Sequence, residues 1–263
     1  MSFLSVRGLC ILNKHTKEYL VENVNFDMEL GSVLGIIGES GSGKSLTCKA
    51  ILGLLSANLG YSGSISLEGN EILGASYESL RKLRLEKLSA VFQDAMNAFD
   101  PLCTIGSQMV ESLQEHMNSQ KAKKLSKEWL EKVGLKQSER VFKSYPHELS
   151  GGMLQRVMIA LSLARKTPLI IADEPTSALD VISQKEIIKL FQTFTGSEKS
   201  LIFVSHDLGV TSHLAKNLLV MKKGKVVEQG ECKEIFDAPK HEYTNYLITK
   251  RQELSKRFLE CFA

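Results

Sequence analysis

Gly38-Glu39-Ser40-Gly41-Ser42-Gly43-Lys44-Ser45 lies between a short apolar run, Val33-Leu34-Gly35-Ile36-Ile37, and a segment that carries Leu46, Ala50, Ile51, Leu54 and Leu55 at helical spacing. The eight residues match the phosphate-binding pattern of glycine, four residues, then Gly-Lys-Ser/Thr, without a mismatch. The flanks predict a buried strand, a glycine loop and a helix, which is the order the chemistry requires. Glycines let the backbone curl until several N–H groups face one anion, and the helix N-terminus adds the positive end of its dipole. At such a loop Lys44 reaches the β- and γ-phosphates of a nucleotide, and the Ser45 hydroxyl ligates Mg²⁺. A chance glycine-rich turn is the plain alternative, and both flanks count against it.

The chain of 263 residues has room for one large domain or one domain with an inserted subdomain. Its 43% hydrophobic and 24% charged residues are ordinary for a globular protein. No apolar run approaches the ~20 residues that span a bilayer, and Met1-Ser2-Phe3-Leu4-Ser5-Val6-Arg7 does not read as an export signal. A net charge of +3 is too small to imply nucleic acid. The five cysteines at 10, 48, 103, 232 and 261 form no Cys-x-x-Cys pair, which predicts reduced thiols in a cytosolic protein and no zinc site.

Strands are expected at Leu4–Val6, at Tyr19–Val21 leading into Val24–Leu30, and at Gly63–Gly69, where apolar and polar residues alternate as on a half-buried antiparallel sheet. Residues 76–88 read as a charged helix, and Ser89–Gln93 as a short strand ending in a glutamine. From Asp94 to about Arg165 strand signals are few. Leu125, Trp129 and Val133, at i, i+4 and i+8, predict a buried helical stripe, and Lys121, Lys123, Lys124 and Lys127 a solvated face. Pro168–Pro175 is an apolar strand closed by two acids and a proline. Ile182–Phe194 is an amphipathic helix. Leu201–Val204 is a buried strand ending at Ser205-His206-Asp207, and Leu218–Met221 with Lys225–Glu228 is a hairpin. Buried strands alternating with helices imply a parallel α/β core.

Asp173 and Glu174 stand at the end of a buried strand, where open α/β sheets bind their ligands. One acid there can hold Mg²⁺ opposite Ser45, and its neighbour can orient and polarise water. Alone the pair would equally describe a solvated strand end; downstream of a matched phosphate loop it carries weight. Leu149-Ser150-Gly151-Gly152-Met153-Leu154-Gln155-Arg156 opens the helix that leads to Asp173. Ser-Gly-Gly there is either a second anion-binding terminus or an ordinary cap by Ser150.

Taken together, Gly38–Ser45, Gln93, Leu149–Gln155, Asp173-Glu174, Ser177-Ala178-Leu179-Asp180 and His206 resemble the nucleotide-binding domain of ABC transporters, six motifs in order over about residues 3–250. Leu-Ser-Gly-Gly is not shared by other phosphate-loop ATPases. The resemblance implies an α/β fold: a P-loop NTPase core with an antiparallel β subdomain and a helical subdomain inserted at about 94–165, in a domain of residues 1–250 followed by a short helical tail at 251–263. It implies ATP and Mg²⁺ as cofactors. Gly38, Glu39, Ser40, Gly41, Ser42, Gly43, Lys44 and Ser45 would hold the phosphates, with Ser45, Gln93 and Asp173 at the metal. Glu174 would be the catalytic base, with Gln93 sensing Mg²⁺ and water and His206 contacting the γ-phosphate. Ser150, Gly151 and Gly152 would reach ATP held by an opposite subunit, and Asp180 would lie at the dimer interface.

Gly41–Cys48, Phe92–Pro101, Tyr145–Arg156, Ile171–Thr176, Val227–Gly230 and His241-Glu242-Tyr243-Thr244 are similar to the peptide/nickel importer branch. That branch implies a peripheral subunit at the cytoplasmic face of the cell membrane. Its partners would be a second ATPase chain or a second copy, two permeases, and through them an extracytoplasmic binding protein. The cargo would be nickel, a metal chelate or, alternatively, a peptide. A soluble ABC ATPase outside transport is disfavoured by the single domain and the lack of a long heptad run. Met153 stands where many relatives carry glutamine, and no aromatic is evident at the adenine position. Only Cys261 lies near the end, so no iron–sulfur cluster is expected.

Overall fold

The computed structural model describes residues 2–250 apart from 116 and 197. The expected tail at 251–263 lies outside the described residues. The chain divides into two compact units, one running to Leu80 and resuming at Ile202, the other Arg81–Leu201.

In the first unit β1 (Leu4–Asn13) pairs antiparallel with β2 (Tyr19–Met28) on one side and β4 (Leu59–Leu67) on the other, and β4 carries the short β5 (Asn70–Glu71) at its edge. Val24, Phe26 and Met28 are buried, as the alternation predicts, but Leu30 is 45% exposed because the strand ends at Met28. β1 runs longer than the expected Leu4–Val6, and β2 joins the two expected pieces, Tyr19–Val21 and Val24 onward, in one strand. Three register shifts explain this: Val6↔Phe26 is followed by Leu9↔Val24, that by Ile11↔Val21, and that by Leu12↔Tyr19. Gly8 (φ +57) supplies the extra residue on β1 and Asn23 (φ +52) the one on β2. Each bulge flips the inward parity, so a strict period of two loses the strand there.

The same unit holds the strand order β10-β9-β3-β8, with β3 (Val33–Ile37), β8 (Ser200–Val204), β9 (Asn217–Lys222) and β10 (Lys225–Glu231). β3 runs parallel to β9, and β9 and β10 form the expected hairpin through Lys223 (φ +46) and Gly224 (φ +80), the pair of left-handed residues that a two-residue turn needs. Every residue of β3 and β8 is buried, as continuous apolar runs in a covered sheet require. α1 (Lys44–Ile51) is shorter than expected. Gly53 at φ +64 stops it, and Leu54 is 41% exposed instead of extending the buried face.

In the second unit β6 (Leu88–Val91) lies parallel to β7 (Leu169–Asp173) in the order β8-β7-β6; Ser200 and Leu201 of β8 belong here. α2 (Tyr77–Glu86) precedes β6, and between β6 and β7 the described elements are helical: α3 (Ile105–Gln114), α4 (Ser119–Lys132), α5 (Ser138–Lys143) and α6 (Gly151–Ala164), with 3-10 turns at Met96–Ala98 and Pro146–Glu148. Thr104, Asn118 and Ser150 cap α3, α4 and α6. The buried stripe of α4 is Ala122, Ser126 and Leu130, offset from the expected one; Leu125 and Trp129 are half-buried at its margin, and Val133, at the C-cap, is buried as expected. Lys127 departs from a purely solvated face by pairing with Glu139 and lying 5.3 Å from the Phe142 ring centroid. α7 (Val181–Phe194) follows β7, and α8 (Leu208–Leu214) and α9 (Cys232–Asp237) complete the first unit, with residues 242–250 also helical. No described helix is long and apolar enough to cross a membrane.

Candidate active site

The phosphate loop joins β3 to α1 within the first unit. Gly38 takes φ +152, and a Cβ there would sit 2.2 Å from the Met221 carbonyl oxygen, so no other residue fits. Gly43, at φ +101, starts α1 without a side-chain cap, whereas α3, α4, α6, α7 and α8 each have one. The first-turn N–H groups of α1 are therefore left to a ligand. Lys44 is 7% exposed, and its Nζ donates to the carbonyls of Gly38 (2.8 Å) and Glu39 (2.9 Å). Ser42 Oγ is buried with no protein partner, and the Ser42 carbonyl accepts the Gly224 N–H from the β9–β10 turn at 3.0 Å. Rigid glycines, an uncapped helix start, a buried ammonium and an unsatisfied hydroxyl fit a phosphate chain.

His206 follows β8 in the same unit and is exposed. Its neighbours are tied down: Ser205 N donates to the Ile36 carbonyl, Asp207 N to Ser205 Oγ at 2.9 Å, and Asp207 Oδ1 accepts from Gly209 and Val210 at the start of α8. A cavity of about 330 Å³ is lined by Gly38, Glu39, His206, Asp207, Leu208, Leu247 and Lys250. The structure thus brings His206 to the entrance of the phosphate loop.

In the second unit Asp173 ends β7 at 7% exposure and Glu174 follows at 9%. Glu174 has φ +50, a left-handed backbone rarely taken by a residue with a long side chain and worth of order 1 kcal/mol or more of strain. The turn holds it there: the Glu174 carbonyl accepts from Ser177 N at 3.3 Å and Ser177 Oγ at 3.0 Å. Apolar periodicity carries no trace of this feature. Ser150 Oγ accepts the Met153 N–H at 3.3 Å, so it caps α6; exposed Gly151 follows it, and a Cβ on Gly152 would lie 3.0 Å from the Ala178 carbonyl. Asp180 caps α7, with Oδ1 accepting from Ile182 and Ser183 N–H and Oδ2 at 3.5 Å from Arg156 Nη2. Hydrogen bonds from the Ser183 hydroxyl and backbone hold its carboxyl below the usual range. Signature segment and Asp180 are thereby joined through Gly152 and Arg156.

Gln93 is exposed two residues past β6, which ends sooner than expected. The residue before it is fixed to α6: Gln155 Nε2 donates to the Phe92 carbonyl at 3.1 Å, and the Phe92 N–H points to Met158 Sδ at 3.0 Å.

Residues 21–177 match a family model described as ABC transporter. The chain belongs to the ABC transporter family. It is 43% identical over 261 residues to the metal-staphylopine import system ATP-binding protein CntD of Staphylococcus aureus, covering 98% of this chain and 96% of that one. It is 42% identical over 231 residues to the oligopeptide transport ATP-binding protein OppD of Escherichia coli, covering 87% and 68%. Among solved structures it is similar to the dimeric post-hydrolysis state of the ATP-binding cassette MJ0796 bound to ADP and phosphate, with a TM-score of 0.78 and 28% identity over 87% of this chain and 98% of that one. It is also similar to cbiO1 of Clostridium perfringens, part of the ABC transporter complex cbiONQ, with a TM-score of 0.73 and 26% identity over 97% and 99%. The α/β architecture is that of an ABC nucleotide-binding domain, and the chain is an ATP-binding, ATP-hydrolysing subunit of an ABC transporter.

Proposed function

We propose that this ABC ATPase drives uptake of a metal ion or metal chelate, nickel complexes included, through partner permeases at the cytoplasmic face of the cell membrane. The observation that carries the cargo class is the end-to-end match to a metal-staphylopine import ATPase. Resemblance to the nickel-import ATPase NikD is the finer form of the same proposal. A 42% identity to OppD supports oligopeptide uptake as a second reading.

The roles follow from the chemistry of each half. Gly38–Ser45 bind the phosphates of ATP, with Lys44 leaving the Gly38 and Glu39 carbonyls for the β- and γ-oxygens. Mg²⁺, when bound, neutralises phosphate charge; the Ser45 hydroxyl, the Asp173 carboxylate and the Gln93 amide oxygen are the hard oxygen donors it prefers. Glu174 takes the proton of the attacking water, and His206 hydrogen-bonds the γ-phosphate. Ser150, Gly151 and Gly152, beside the Asp180 turn, serve the ATP of a second ATPase subunit, either a different chain or another copy. Positioning and charge stabilisation then supply most of the catalysis.

Cargo is tested by co-purifying the chain with its permeases from membranes and measuring ATP turnover with the cognate binding protein loaded with a nickel chelate or with peptide. Stimulation by the chelate alone supports metal uptake; stimulation by peptide alone replaces it with the second reading.

A further inference from the structure

His241-Glu242-Tyr243-Thr244 has no part in the roles assigned above, yet it is tied to the phosphate loop. Tyr243 is 4% exposed and packs in a core cluster with Ile37, Leu208 and Val220. Its hydroxyl oxygen accepts the Glu39 N–H at 3.0 Å. Burial foremost raises the phenol's pKa, against the bond from the Glu39 N–H, which lowers it. The Glu39 carbonyl in turn accepts from Lys44 Nζ at 2.9 Å. One loop residue is therefore gripped at its N–H by the tyrosine and at its C=O by Lys44.

The tyrosine is itself braced. The Lys222 ammonium stands 4.6 Å from its ring centroid, and the Tyr243 N–H donates to His241 Nδ1 at 3.0 Å. Glu228 on β10 accepts the N–H groups of Lys240 (2.8 Å) and His241 (3.1 Å), fixing the start of the segment. A buried tyrosine needs some partner for its hydroxyl. Here the partner is a peptide of the loop whose N–H directions decide anion binding.

We propose that Tyr243 is a positioning residue of the phosphate loop, clamping Glu39 so that the loop is preorganised for ATP. The proposal rests on Gly38–Ser45 being the ATP site. Preorganisation of this kind lowers the cost of binding without entering the chemical step, so its loss should appear in affinity and KM rather than in kcat.

The test uses the full chain for binding of a fluorescent MgATP analogue, and the chain assembled with its partner subunits for steady-state ATPase. Tyr243→Phe keeps the ring and removes the hydroxyl. It should weaken analogue binding and raise the KM for ATP by about three- to tenfold, the scale of one hydrogen bond, with kcat within about twofold. Tyr246→Phe, whose ring stacks on Tyr243 at 6.5 Å, should leave both at wild-type values. Hydrogen exchange of a peptide spanning residues 38–43 should quicken in Tyr243→Phe only. Wild-type affinity and exchange in Tyr243→Phe, or equal losses in both variants, would overturn the clamp while leaving the ATP site in place. Failure of the wild-type chain to bind MgATP at all would overturn the ATP site and the clamp with it.

Discussion

In the proposed mechanism Lys44 serves binding and Glu174 serves the chemistry. The Lys44 ammonium is already buried between two loop carbonyls, so exchanging them for phosphate oxygens costs little fresh desolvation. Lys44→Ala should weaken MgATP at least about tenfold, since a charge-assisted hydrogen bond is worth about 1.5–3 kcal/mol; titration with a fluorescent analogue checks it, and unchanged affinity would place the phosphates elsewhere. Glu174 is held in a left-handed turn at 9% exposure, a position that aims one carboxylate at the cost of backbone strain. Glu174→Gln keeps shape and hydrogen bonding but accepts no proton. Single-turnover ATPase should fall by about 10²–10⁴-fold with binding intact, and turnover within about threefold of wild type would remove Glu174 as the base. The acid pair, the lysine and the glycines could be read from the chain because each is a residue type in a fixed local pattern. The hydroxyl of Tyr243 on Glu39 could not, because it joins residues distant in sequence, and the φ of Glu174 could not, because apolar periodicity does not report the backbone conformation of a turn.

Among the elements, the buried strands β3, β7 and β8 were legible as continuous apolar runs, α6 from its Ser150 cap and α7 from its amphipathic periodicity. β1 was only half legible, since the bulge at Gly8 breaks its alternation, whereas β2 was expected at Tyr19–Val21 and Val24–Leu30 and runs as one strand across the bulge at Asn23. The helices between β6 and β7 pack more closely than their sequence indicates. A Cβ on Gly106 would lie 2.3 Å from the Phe142 ring and 2.5 Å from its carbonyl oxygen. Gly106→Ala should therefore destabilise the α3–α5 contact by about 1–3 kcal/mol, seen as a lower urea midpoint; an unchanged midpoint would mean that α5 yields freely. Asp180 provides a pH test. Its folded-state pKa is depressed by the Ser183 hydroxyl and backbone, so its contribution is fully present above the unfolded-state pKa and is lost as pH falls through the folded one. The stability gap between wild type and Asp180→Ala, followed by thermal melting, should be constant near neutrality and close below about pH 4. A gap that persists undiminished in acid would show that the charged form is not what the α7 cap uses.

At the scale of the whole molecule, the chain carries both a matched phosphate loop and a signature segment, but Ser150 is spent locally as the cap of α6, whose Gly152 and Arg156 form a cluster with Ala178 and Asp180. The proposed mechanism gives that cluster to a neighbour's ATP. Two ATPase subunits would then close on two nucleotides, and each would depend on the other for part of the charge stabilisation around the γ-phosphate. Related cassettes solved as dimers support such an arrangement. The most direct measurement is ATP turnover by the isolated chain, shown monomeric by light scattering, against turnover by the chain assembled with its partner ATPase and permeases, each with and without Ser150→Arg. The split site predicts slow hydrolysis by the monomer, faster hydrolysis by the assembly, and a fall in the assembly on Ser150→Arg with MgATP affinity at Lys44 almost unchanged. Full turnover by the monomer, or an assembly indifferent to Ser150→Arg, would contradict it.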